Sequence, residues 1–79
     1  MTNPIVSVRL ANGLSRREFA LRLGIDYHDV VICELGYVKR VRKGLADAMA
    51  LHLGVDGEKL QSEYSEWRAE QRGGESIAV

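Results

Sequence analysis

Residues 16–35 read RREFALRLGIDYHDVVICEL, the most strongly patterned stretch of the chain. Phe19, Ile25, Val30 and Cys33 are apolar at the spacing that brings two short helices together. Ala20 is small where the two backbones come closest, and Gly24 stands where the chain must turn. The pattern predicts a helix-turn-helix with its core over residues 15–36.

Upstream, Asn3 can cap a first helix with Pro4 at its first position, where a missing N–H costs little. Ile5 and Val8 are expected to face inward, and Gly13 to end that helix. Ser15 with Glu18 forms a capping box at the start of the second helix, where Phe19, Ala20 and Leu23 make the buried stripe. Asp26 caps a third helix running to about Leu35 and stopped by Gly36. A basic loop, YVKRVRK, spans Tyr37 to Lys43. Leu45, Ala46, Met49, Ala50 and Leu53 then mark a fourth helix, ended by Gly54. Asp56 caps a fifth over residues 57–72, with Leu60, Tyr64 and Trp67 at i, i+4 and i+7. Residues 73–79 are expected to be a disordered tail. The expected architecture is all-α: a compact five-helix domain over residues 1–72 with an extended C-terminal helix.

Composition narrows the function classes. Seventy-nine residues make one domain, near the lower limit for a core that folds alone. No apolar run is long enough to span a membrane, and MTNPIVSVRL lacks the basic start and apolar stretch of a secretory signal. Cys33 is the single cysteine, which excludes an internal disulfide and suits a reducing cytoplasm. Cys33 and two distant histidines make no zinc pattern. Without paired carboxylates, a Ser-His-Asp set or a phosphate-cradling glycine loop, neither catalysis nor a cofactor or metal is expected. The net charge of zero divides into +4 over residues 1–43 and −4 over residues 44–79. The basic half contains the helix-turn-helix, and such polarity can aim one end of a protein at a polyanion.

Several short motifs point further. Gly13-Leu14-Ser15, Glu18, Ala20, Leu23-Gly24-Ile25, Glu34-Leu35-Gly36 and Leu53-Gly54-Val55 lie in order over about residues 5–60. Taken together, the chain resembles the lambda-repressor-like helix-turn-helix family, the phage repressor and Cro type also called Xre. The resemblance implies an ion pair between Arg9 and Glu34. It implies a phosphate contact at Arg16, base-facing positions at Tyr27, His28 and Ile32, and backbone contacts from Lys39, Arg40 and Arg42 in the loop. Arg17 adds a further cation, and Val31 a further groove-facing residue. The function so implied is a sequence-specific regulator of transcription that binds double-stranded DNA. It would be a repressor acting as a homodimer, in the nucleoid of a bacterial or phage-infected cell. A two-fold dimer would set two third helices about 34 Å apart.

The third helix departs from that pattern in chemistry. With Val30 and Cys33 inward, the outward side carries His28, Ile32 and Leu35, flanked by Tyr27 and Val31. No Lys or Arg lies between Asp26 and Leu35, and Asp26, Asp29 and Glu34 are acidic. Base edges are normally read by Arg, Lys, Asn or Gln. DNA binding would therefore lean on the flanking cations, giving a salt-sensitive affinity. The rival reading is a helix-turn-helix adaptor, antirepressor-like or antitoxin-like, whose apolar third-helix face binds a protein. Leu60, Tyr64 and Trp67 are the candidate dimer contact; internal packing against the first helix is the alternative.

Overall fold

The computed structural model describes the backbone of residues 2–78 and the side chains of residues 2–71. The expected tail, residues 73–79, lies outside the residues whose side chains are described. The described residues form helices and no strand: α1 Pro4–Ala11, α2 Arg16–Leu23, α3 Tyr27–Glu34, α4 Lys43–Leu53 and α5 Gly57–Ala78. Local chemistry sets most of the boundaries. The Asn3 side chain accepts from the Ile5 amide at 2.8 Å, ahead of Pro4. Ser15 Oγ accepts from the Glu18 amide at 3.1 Å while Glu18 Oε1 accepts from the Ser15 amide at 3.0 Å, closing the capping box. That acceptor role holds the Glu18 carboxyl below its ordinary pKa. Gly24, at φ +66°, lets the Ile25 amide return to the Ala20 carbonyl at 2.9 Å and turns the chain sharply into α3.

The helices pack around one core of Ile5, Phe19, Ala20, Leu23, Val30, Cys33, Leu45, Met49, Leu60 and Tyr64. α3 lies against α2 and α1, while α5 lies against α1 and α4. The radius of gyration is 12.4 Å, close to the about 12 Å expected of a folded chain of this length. Among the described residues, no helix is long and apolar enough to cross a membrane.

Asn3 does a second job that its position before α1 does not reveal. Its Nδ2 donates to the carbonyls of Cys33 and Glu34, both at 3.1 Å, so one buried amide starts α1 and finishes α3. Among the described residues every buried side-chain nitrogen and oxygen has a partner.

Candidate nucleic-acid interface

The first turn of α3 is exposed to solvent. Asp26 Oδ1 accepts from the His28 amide at 2.8 Å and fixes the start of the helix. Tyr27 is 43% exposed and His28 is exposed. The guanidinium of Arg17, from α2, lies 5.4 Å from the centre of the Tyr27 ring, within cation–π range. Arg42, at the end of the following loop, approaches Asp29 with Nε 3.9 Å from Oδ1. So long and exposed a contact adds little stability. Its value is positional. Tyr27 and Asp29 are about 200° apart around the helix. Arg17 and Arg42 therefore stand on opposite flanks of α3, with His28 between them.

One turn further, the surface changes character. Val31 is half-buried and Leu35 is 46% exposed, so Tyr27, Val31 and Leu35 continue as an outward apolar stripe. Ile32, expected to face the groove, is instead a core residue at 9% exposure. It shares a face with His28, but the chain folds back beneath it. Gly36, at φ +78°, allows the Tyr37 amide to reach the Ile32 carbonyl at 2.9 Å, and Val38 and Val41 pack into the core. The outward face of α3 thus narrows to Tyr27, His28, Val31 and Leu35.

Behind that face lies an ionic centre. Glu34 has a fully buried side chain. Arg9 Nε donates to its Oε2 at 2.7 Å and Arg9 Nη2 to its Oε1 at 3.2 Å, while Arg9 Nη1 reaches the Leu14 carbonyl at 2.9 Å. Arg16 Nε also donates to Oε1, at 2.8 Å. Arg16, read as a phosphate contact, is thus anchored from α2 onto the end of α3, and its side chain stays 39% exposed. Two guanidiniums sharing one carboxylate lock α1, α2 and α3 together and leave one positive charge uncompensated.

The basic loop is held by α5. Gln61 Oε1 accepts from the Val41 amide and its Nε2 donates to the Val41 carbonyl, both at 2.9 Å. The Tyr64 hydroxyl donates to the Val38 carbonyl at 2.6 Å, and Arg68 Nε to the Gly36 carbonyl at 3.2 Å. Trp67 completes the stripe, its ring centre 5.8 Å from that of Tyr64. A Cβ on Gly36 would lie 2.9 Å from two Trp67 ring carbons, so only glycine admits the indole here. The expectation of a dimer contact at Leu60 and Tyr64 is corrected. They are 2% and 0% exposed and serve the protomer's own core and loop, because the loop's backbone groups need partners. Trp67 is half-buried against the same core. Burial pushes the Tyr64 phenol and the Cys33 thiol above their ordinary pKa values.

The loop cations do not form one patch. Arg42 joins the flank of α3. Arg40 lines a groove of about 850 Å³ between α4 and α5 with Lys43, Asp47, Glu58 and Gln61. Lys39 lines a separate notch with Ser65, Arg68 and Ala69 of α5. Sequence reasoning missed Asn3 as the cap of α3, and Gln61 and Arg68 as supports of the loop. Each acts across twenty or more residues, and neither helical spacing nor capping rules carry that information.

Among the described residues, no group of three or more His, Cys, Asp or Glu side chains is placed to hold a metal ion. Compared with known proteins, the chain matches no family model, no curated protein and no solved structure.

Proposed function

We propose that the chain is a phage-repressor-type helix-turn-helix regulator that binds double-stranded DNA through the first turn of α3. The observation that carries this reading is the exposure of Tyr27 and His28 between two cations on opposite flanks, Arg17 and Arg42. A helix presented in this way can enter a major groove while its flanking cations meet the phosphates on either wall. α4 supports the same reading. Its cap residue, Arg42, makes no side-chain capping bond, and Arg42 and Lys43 stand at the positive end of the helix dipole. Sequence preference would come from His28 and Tyr27 hydrogen bonds and from Val31 or Leu35 against thymine methyls. Affinity would come mainly from phosphate neutralisation. A two-fold dimer remains part of the proposal, with Leu60 and Tyr64 removed from its interface.

Retention on pooled duplex DNA across a salt series tests this. Arg17→Ala with Arg42→Ala should flatten the slope of log K against log salt by about 1.8, at roughly 0.9 for each phosphate no longer neutralised. Lys59→Ala, which removes an exposed α5 cation beside Glu63, should leave it unchanged. Equal slopes for all three proteins would sink the reading.

A second reading rests on the stripe of Tyr27, Val31 and Leu35; Tyr37, in the loop that follows, is also exposed, at 72%. Such a face suits a protein partner. In that case Val31→Asp abolishes partner binding, while the double arginine variant leaves binding and its salt dependence intact.

A further inference from the structure

The surface between the basic loop and α5 holds a feature that groove entry by α3 does not use. Among the described residues, Lys39, Ser65, Arg68 and Ala69 line one notch of about 360 Å³. Ser65, Arg68 and Ala69 fall at i, i+3 and i+4 on α5, so they share one face of that helix. The loop supplies Lys39, three residues after Gly36. Arg68 is pinned at the junction, because its Nε donates to the Gly36 carbonyl at 3.2 Å. That bond uses one of the five guanidinium N–H groups and leaves the terminal fork for another acceptor. Among the described residues, no carboxylate lines the notch. Two like charges meeting on one concave surface repel, and an anion between them would remove that cost. A guanidinium fork, an ammonium and a hydroxyl are together the donor set of an oxyanion site.

We propose that Lys39, Ser65 and Arg68 form a phosphate-binding notch, distinct from the α3 flanks, that takes a tetrahedral phosphoryl oxyanion. Its source is either a phosphodiester of the duplex or free phosphate. The duplex arm alone rests on the function proposed above. The Trp67 ring packs against Gly36, the residue whose carbonyl accepts from Arg68, so occupancy of the notch is expected to register at the indole.

The test uses the whole chain, observed by amide and indole N–H resonances, titrated with inorganic phosphate and with chloride at matched ionic strength. Phosphate should shift the Trp67 indole, Arg68 and Lys39 signals saturably, and chloride should not. Ser65→Asp places a carboxylate in the notch with the two cations and removes neither partner of the Arg68 to Gly36 bond, and should abolish the phosphate shifts while the remaining spectrum stays folded. Lys39→Ala should weaken them. Equal shifts in both salts, or shifts that survive Ser65→Asp, would overturn the proposal. The source follows from duplex retention. If the notch holds one duplex phosphate, Ser65→Asp shrinks the fall in affinity over a fourfold rise in salt by about 3.5-fold. Phosphate shifts with unchanged duplex retention assign the notch to free phosphate. Absent phosphate shifts with retention still sensitive to Arg17 and Arg42 would sink the notch and leave the function standing; the reverse pattern would sink the function and leave the notch.

Discussion

Replacing Glu34 with glutamine should cost the domain about 3 kcal/mol, the lower part of the about 3–5 kcal/mol range for removing one partner of a buried ion pair. Glu34 has no exposed side-chain surface and accepts three N–H groups, two from Arg9 and one from Arg16. Arg9 is only 13% exposed, so its charge would be stranded. Arg16, at 39% exposure, can turn to water, and its share is that of a surface pair, under about 1 kcal/mol. Glutamine keeps the size and one good acceptor, which places the loss near the lower bound. A chain of this length has a total stability of only about 4–12 kcal/mol. Urea unfolding followed by the fluorescence of Trp67, the single tryptophan, reads the change directly. With a urea slope of about 1–2 kcal/mol per molar, the midpoint should fall by roughly 2 M. Arg9→Met with Glu34→Leu removes the stranded charge as well and should recover most of the loss. A loss below about 1 kcal/mol at unchanged slope, or a double variant no better than Glu34→Gln, would mean that Arg9 is not stranded when Glu34 loses its charge.

Two further outcomes follow from the α5 contacts and the core. Gly36→Ala should be costlier than Gly24→Ala, although both glycines have positive φ, because only at Gly36 would the new methyl meet an indole. Both incur about 1–2 kcal/mol of left-handed strain, and the stability losses read from urea unfolding should differ by at least as much again; equal losses would mean the Trp67 contact is soft. Because the folded chain holds the Cys33 and Tyr64 protons more tightly than the unfolded chain, stability is intact below the ordinary thiol value of about 8.5 and falls as pH rises through it. It should fall again above about pH 10 as the phenol titrates. Tyr64→Phe should lose that second fall, and an unchanged alkaline profile would contradict the burial argument.

What could be read in the chain is what depends on neighbours a few residues away. Asn3-Pro4, Ser15 with Glu18, Asp26, Gly24 and Gly54 place helix ends because capping and turning are local chemistry. The inward azimuths of Phe19, Val30 and Cys33 followed from helical period alone. Ile32 shows where period stops helping: it fixes the direction of a side chain but not whether another segment covers that direction. The same limit hid the Gln61, Tyr64 and Arg68 bonds to the loop. It also separated three cations that a run of sequence presents as one patch: Lys39, Arg40 and Arg42 point at three different surroundings.

The measurement closest to the central claim is selection of bound duplexes from a random pool at a stated salt concentration. Wild-type protein, Tyr27→Ala with His28→Ala, and Arg17→Ala with Arg42→Ala would be carried in parallel. If the first turn of α3 enters the major groove, the wild type enriches a short motif. The Tyr27 and His28 variant then blurs that motif at the positions it touches, and the arginine variant loses affinity for every sequence alike. A pool that stays as random as its input, or a motif untouched by removing Tyr27 and His28, would contradict the account.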